Sequence, residues 1–174
     1  HFQLPQFGVD ERQATSVWLA DHPELWDGID GNKKAVAGVS IEHLGAMEWE
    51  DTDNGYEPTG NIDRELVYTS NKTLDAIYMK ALEDRTLVRT ITLRPHNGFY
   101  FGEGEPLFSV GIPTISLVAT PSYLCKVSSN GGIEKLNRKL IYEQTDTFRK
   151  IINTLDSIPT QEIGETQRMS YGIW

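Results

Sequence analysis

Glu42 and His43 are candidate functional residues, because a carboxylate and an imidazole directly follow the apolar run at residues 35–41. Ligands of open α/β sheets collect beyond the carboxyl ends of the strands, so we expect this pair at the mouth of a site. An ionised carboxylate there could bind a metal or a substrate group. The alternative is a carboxylate that pairs with a nearby basic group or caps a loop. Neighbours on a strand point to opposite faces, so one of the two is expected to be structural.

Three further residues could take part in chemistry, each with a plainer alternative. Glu103 lies between two glycines, where the backbone could approach a ligand closely, although a flexible acidic turn has the same pattern. His96 follows a predicted strand and could be a ligand or a proton carrier, or a histidine that is only hydrogen-bonded. Cys125 has only Lys126 beside it to favour a thiolate, so a small buried hydrophobe is favoured over a nucleophile. The common metalloprotease, serine-hydrolase, phosphate-loop and dinucleotide motifs are absent from the sequence.

Composition excludes several classes of protein. The 174 residues, 39% hydrophobic and 24% charged, suffice for one domain with a hydrophobic core. The net charge of −9 arises from 25 acidic and 16 basic residues without a Lys/Arg block, which argues against nucleic acids and anionic membranes as partners. No apolar run reaches the roughly 20 residues of a membrane helix, so we expect a soluble protein. The start at His1 without methionine indicates a piece of a longer protein. A single cysteine cannot form an internal disulfide, so the compartment, secretion included, stays open.

The elements that position these residues follow from hydrophobic periodicity. Strands are predicted at residues 35–41, 65–69, 87–93 and 111–118, and helices after a capping box at 10–13, after Asn71 and from Leu140 to Leu155. Residues 48–60 are predicted to form a loop or a short hairpin over the active edge of the sheet. The order of elements predicts an α/β fold with a mostly parallel or mixed sheet sandwiched between helices. We predict a single domain over residues 1–159 and a polar tail over 160–174.

Three segments, in this order, resemble the carboxyl-terminal half of the co-catalytic zinc aminopeptidase family. They are Val39-Ser-Ile-Glu-His-Leu-Gly45, Gly102-Glu-Gly-Glu-Pro-Leu-Phe-Ser-Val-Gly-Ile-Pro-Thr-Ile-Ser-Leu117, and Ile133-Glu-Lys-Leu136 before a long helix. In that family a strand ends in an acidic zinc ligand, a later loop leads into a Gly-Ile-Pro strand, and a Leu-containing turn precedes the last helix. The resemblance spans most of residues 1–155. It implies a zinc-exopeptidase-like (phosphorylase/hydrolase-like) fold, of which this chain would be an incomplete part.

Carried over residue by residue, the resemblance implies a metal site with altered ligands. Glu42 stands where the family places an acidic zinc ligand, usually an aspartate. His1 stands where the family carries two glutamates, so an imidazole could bind metal but the general base is lost. The family's last histidine ligand, expected beside Tyr123, is replaced by Leu124 or displaced within that loop. No catalytic residue is therefore assigned. The metal candidates are Glu42 and His1, and the candidates for a substrate pocket are His43, His96, Glu103 and Tyr123.

For function, the resemblance implies a zinc-dependent hydrolase that removes amino-terminal residues from peptides or acts on similar amino-acid-like substrates. The family's other ligands would precede residue 1, so this chain alone is expected to be inactive. The alternative is a non-catalytic binding or interaction domain on the same scaffold. A sheet without its first strands would leave an unpaired edge, which we expect a missing amino-terminal segment or self-association to cover.

Overall fold

The computed structural model describes residues 14–95, 100, 102–125 and 132–166. The strands are β1 Gly38–Glu42, β2 Met47–Thr52, β3 Gly55–Ile62, β4 Glu65–Thr69, β5 Thr90–Leu93 and β6 Thr114–Ala119. The helices are α1 Ala14–Asp21, α2 Lys72–Ala81, α3 Glu105–Ser109, α4 Arg138–Ser157 and α5 Thr160–Ile163, with 3₁₀ turns at Pro23–Leu25, Ser122–Cys125 and Ile133–Lys135. The predicted capping box at 10–13 lies outside the described residues.

The central sheet has four strands in the order β1-β6-β4-β5. Strands β1 and β6 are parallel, β6 and β4 are antiparallel, and β4 and β5 are parallel. The prediction of an α/β fold with a mixed sheet is therefore confirmed, whereas the zinc-exopeptidase-like class stays a prediction. Within the described residues β1 lies at an edge of the sheet, and a segment that would cover this edge stays a prediction as well.

Two helices pack on one face of the sheet, and each begins at an asparagine. The Asn71 side chain accepts a hydrogen bond from the Leu74 amide, and the Asn137 side chain accepts one from the Leu140 amide. The core between this face and the helices consists of buried apolar residues of β4, β6, α2, α4 and α5. They are Val67, Leu74, Tyr78, Ala81, Ile115, Leu117, Phe148, Ile151 and Ile163. Because Ile163 belongs to this core, the packed part of the chain extends past residue 159.

Helix α3 lies against the opposite face of the sheet, and α1 packs against α3. A side chain at Gly104, which precedes α3, would overlap Ser116 of β6, and one at Gly38 would contact Leu107 of α3. The sequence analysis did not predict α3, because its five residues are too few to show a helical period. The predicted hairpin does form, as β2 and β3 pair antiparallel in a sheet of their own.

A buried polar network connects the sheet to α4 and to the chain that follows α2. Glu65, only 1% exposed at the start of β4, accepts hydrogen bonds from Arg85 Nη2 at 2.5 Å and Nη1 at 2.9 Å. Thr90 Oγ1 and Gln144 Nε2 donate to the same carboxylate, each at 2.7 Å. Burial alone would lower the pKa of Arg85, but the hydrogen bonds and charge of Glu65 raise it above its ordinary value. Gln144 Oε1 in turn accepts from the amide of Gly45 at 2.7 Å, so the network reaches the turn after β1.

We expect Arg85→Met to lower the free energy of unfolding by about 3–5 kcal/mol, because it leaves the buried charge of Glu65 without its counter-ion. Urea unfolding measures the loss. Adding Glu65→Gln to this variant removes the uncompensated charge and should restore part of the stability. Arg149→Met is the matched control, since Arg149 forms an exposed pair with Asp146 and its loss should change little. Equal losses in the Arg85 and Arg149 variants would contradict the prediction.

Candidate functional site

Glu42 lies at the carboxyl end of β1, level with Val118 of the parallel strand β6, and is partly exposed. Its Oε1 accepts a hydrogen bond from the amide of Glu103 at 2.5 Å. The Glu103 carboxylate accepts one from the hydroxyl of Thr15 on α1 at 3.2 Å. The structure thus brings together two residues that the sequence analysis selected separately, and it fixes the orientation of the Glu42 carboxylate through a backbone donor.

Gly102 explains how this close contact is possible. Its φ is +91°, and a Cβ atom there would overlap both the Glu42 carboxylate and the Val118 side chain. Only glycine combines this left-handed backbone with the required space. The pattern of a carboxylate between glycines therefore has a physical cause, which is the approach of the loop backbone to Glu42.

The turn that follows Glu42 is fixed against the start of α4. His43 is exposed and adopts a φ of +55°, which few non-glycine residues do. Gly45 has a φ of +78°, and a Cβ atom there would overlap Ile141 of α4. The Gly45 amide donates to Gln144, and its carbonyl oxygen accepts from the Asn137 amide at 2.8 Å. The position of the turn is therefore set by α4.

A second feature of the same edge is a cleft of about 380 Å³ between the β2–β3 hairpin and the ends of the central strands, which we call the hairpin cleft. Its lining is rich in carboxylates and aromatic rings, contributed by Glu48, Trp49, Glu50, Asp51, Tyr56 and Asp63. Arg64, Thr120 and Ser122 complete it. The hairpin is fixed to the 3₁₀ turn after β6, because Ser122 Oγ bonds the Tyr56 hydroxyl at 2.6 Å and donates to the Trp49 carbonyl at 2.7 Å.

Asp63 is the least solvated carboxylate of the hairpin cleft, with 9% of its surface exposed. Its Oδ1 accepts from the Arg64 amide at 2.8 Å, whereas its Oδ2 is buried without a hydrogen-bond partner. Burial raises the pKa of Asp63, and the negative charge of Glu48 adds to this effect, while the Arg64 amide opposes it. The sequence analysis missed Asp63, because nothing in the short connection between β3 and β4 distinguishes this residue from a solvated acid.

Tyr123 and Lys135 are packed beside the hairpin cleft. Tyr123, a predicted pocket residue, is 5% exposed, and burial together with the charge of Asp63 raises its pKa to about 12. Lys135 is equally buried, with its Nζ 5.3 Å from the centre of the Trp49 ring and 5.6 Å from that of Tyr123. These distances fit cation–π contacts. Lys135 was also missed, since a lysine in a polar turn is normally exposed.

The remaining predicted site residues cannot be placed. His1 and His96 lie outside the described residues, as does the side chain of Cys125. In the part of the chain that the structure describes, no three His, Cys, Asp or Glu side chains form a group that could hold a metal ion. Glu42 is the one predicted metal ligand among these residues. Zinc binding stays a prediction.

The comparisons with known proteins give no family. No protein-family model matches this chain, and neither a curated protein nor a solved structure is significantly similar to it. A search for membrane-spanning segments among the described residues found no helix with the necessary length and apolar character. The interpretation of the site therefore depends on its own geometry.

We expect Gly45→Ala to lower the free energy of unfolding by at least about 2 kcal/mol, because it adds a steric overlap with Ile141 to the strain of a left-handed backbone. Gly31→Ala is the matched control, since Gly31 has a φ of +91° and no atom lies within 4 Å of the place that its Cβ would take. It should cost about 1 kcal/mol from backbone strain alone. Chemical denaturation of both variants measures the difference, and a smaller loss at Gly45 would count against the fixed turn.

The raised pKa of Asp63 predicts a pH-dependent gain in stability for Asp63→Asn. Wild-type protein binds the Asp63 proton more tightly when folded, so this contribution is complete below the ordinary pKa of 3.8 and is lost as the pH rises through the raised value. Asparagine stays neutral, so the variant should gain stability over wild type as the pH rises and then level off. Urea unfolding between pH 4 and 8, approximately, measures this.

The matched control for that series is Asp53→Asn, which removes an exposed carboxylate from the turn of the hairpin. The same pH-dependent gain in the control, or a gain at position 63 that does not vary with pH, would show that burial of Asp63 is not its cause.

Proposed function

We propose that this chain is the carboxyl-terminal portion of a zinc-dependent aminopeptidase-like hydrolase domain, in which Glu42 supplies one carboxylate ligand of a metal. The observation that supports this proposal is the placement of Glu42, partly exposed at the carboxyl end of β1 and next to the parallel strand β6. This edge is where α/β sheets collect ligands and catalytic groups. The substrate would be the amino-terminal part of a peptide or an amino-acid-like molecule.

The contacts around Glu42 suit a metal ligand. Carboxylate ligands are normally oriented by hydrogen bonds from a second layer of residues, and the Glu103 amide makes such a bond. Thr15 in turn fixes the Glu103 side chain. A bound zinc ion would supply polarisation of the scissile carbonyl and a lowered pKa of water. The other ligands would have to come from residues that the structure does not describe, His1 among them, or from chain outside this sequence.

Tyr123 would contribute a neutral group beside this edge. Its hydroxyl is protonated at neutral pH, as that of any tyrosine with a pKa at or above 10 is, and can donate a hydrogen bond. Arg64 and the carboxylates of the hairpin cleft lie at the carboxyl end of β6, so a peptide bound along the edge would meet a mainly acidic surface.

The test is zinc content together with peptidase activity in the longest natural protein that contains these residues. We expect wild type to retain zinc after desalting and to release amino acids from peptides with a free amino terminus, but not from blocked ones. Glu42→Gln should weaken zinc binding by at least about tenfold, since even the partners of ligands change metal affinity by that factor. Glu57→Gln, an exposed change in the hairpin, is the control and should leave zinc content unchanged.

A wild-type protein that retains no zinc and releases no amino acid would overturn the proposal. It would favour the second candidate, a non-catalytic interaction domain on the same scaffold. The observation that favours this candidate is that the described residues do not by themselves bring three metal-binding side chains together. Full zinc retention by Glu42→Gln would remove Glu42 from the site even if the protein were active.

A further inference from the structure

The tip of the β2–β3 hairpin combines an exposed asparagine with a glycine directly after it. Thr52 pairs with Gly55 across the hairpin. Asp53 and the exposed Asn54 therefore form the turn. Gly55 has a φ of +121°, and no atom lies within 4 Å of the place that its Cβ would take. Because this space is empty, the backbone nitrogen of Gly55 is not shielded on that side from the Asn54 side chain.

The fold does not hold the side chain of Asn54 in place. Within the part of the chain that the structure describes, the side-chain amide of Asn54 has no hydrogen-bond partner, and only its backbone N–H donates. By contrast, Asn61 Nδ2 donates to Glu48 at 3.1 Å, and Asn32 Nδ2 donates to Asp27 at 2.9 Å. The Asn54 side chain is therefore free to sample the rotamers that bring its Cγ next to the following backbone nitrogen.

From this arrangement we propose that Asn54 is a modification site, which converts spontaneously to aspartate and isoaspartate with water as the co-reactant. Asparagine is among the residues that are least stable to heat. The backbone nitrogen of Gly55 gives up its proton to a solvent base and forms a bond to Cγ of Asn54. The bond between Cγ and Nδ2 breaks, and the side-chain nitrogen takes up a proton and leaves as ammonia.

The product of this step is a cyclic imide, which water opens in either of two ways. Addition of water at Cγ breaks the bond from Cγ to the imide nitrogen and leaves aspartate. Addition at the main-chain carbonyl carbon breaks the original peptide bond, so the chain stays connected through Cγ as isoaspartate. Each conversion consumes one water and releases one ammonia, and nothing is oxidised or reduced.

The two products differ in their effect on the hairpin. Aspartate keeps the length of the main chain and adds a negative charge beside Asp53. Isoaspartate lengthens the main chain by one methylene within the turn, and turn length sets the register of a hairpin. The isoaspartate form should therefore lose the pairing of Thr52 with Gly55, including the 3.0 Å hydrogen bond from Thr52 Oγ1 to the Gly55 carbonyl oxygen. The proposal does not depend on zinc or on the peptidase reaction.

The test follows the full chain during incubation at physiological temperature and mildly alkaline pH. Peptide mapping by tandem mass spectrometry measures the exchange of NH2 for OH at each asparagine, and synthetic peptides of residues 51–57 identify aspartate and isoaspartate. We expect Asn54 to convert to both products while Asn61 and Asn32 stay unmodified. Conversion should accelerate with pH, because the attacking nitrogen must lose its proton. Asn97 and Asn130 also precede glycine but lie outside the described residues, and the map reports them separately.

Two variants connect the chemistry to the turn. Asn54→Gln keeps the amide but lengthens the side chain by one methylene, so ring closure is disfavoured and the residue should stay unmodified. Asn54→Asp reproduces the product that keeps the length of the main chain. Its NMR spectrum should retain the pairing of Thr52 with Gly55, whereas the purified isoaspartate form should lose it.

An Asn54 that stays unmodified in the folded chain would overturn the proposal, whether or not it converts in chain unfolded by urea, since the folded turn would then protect it. Equal conversion of Asn54, Asn61 and Asn32 would overturn it too, because exposure and the following glycine would then make no difference. Retained pairing in the isoaspartate form would overturn the expected effect on the register.

Discussion

The fold depends on a buried carboxylate that must be paired. Glu65 starts a central strand on the face covered by α2 and α4, where no water can solvate its charge. Arg85, Thr90 and Gln144 come from three different parts of the chain and all donate to it. Since one missing donor leaves charge or polarity uncompensated in a medium of low dielectric, the elements that carry these donors are required together. The network therefore helps to determine where α4 packs on the sheet and where β5 pairs with β4, in addition to stabilising the fold.

The same network sets the geometry of the edge where the candidate ligand lies. The Gln144 side chain donates to Glu65 through Nε2 and accepts from the Gly45 amide through Oε1. The Gln144 side chain therefore connects the turn after β1 to the buried Glu65 carboxylate. From the other side, Gly102 lets the loop before α3 deliver the Glu103 amide to Glu42. Glu42 is consequently oriented by backbone groups that are themselves fixed, which is the condition a metal ligand needs.

The sequence predicted the elements that have a clear hydrophobic periodicity or a capping residue. It did not predict the buried charged residues, whose partners are distant in the sequence. Asn71 and the spacing of Leu74 and Tyr78 identified α2, the alternation at residues 65–69 identified β4, and the buried apolar run at 111–118 identified β6. Asp63, Lys135 and the pairing of Glu65 with Arg85 left no local signal, because a charged residue at a strand end or in a turn is usually solvated. The partners of Glu65 lie 20 and 79 residues away along the chain, so only the folded structure brings them together.

Glu42 and Asp63 lie at one edge of the sheet but differ in burial and in hydrogen bonding. Glu42 accepts a hydrogen bond from the Glu103 amide and keeps contact with solvent. Asp63 is buried and its Oδ2 has no hydrogen-bond partner, so burial disfavours its ionised form and raises its pKa. Two carboxylates at one edge of the sheet therefore differ in solvation, because Glu42 at the end of β1 stays partly exposed whereas Asp63, in the connection between β3 and β4, is buried.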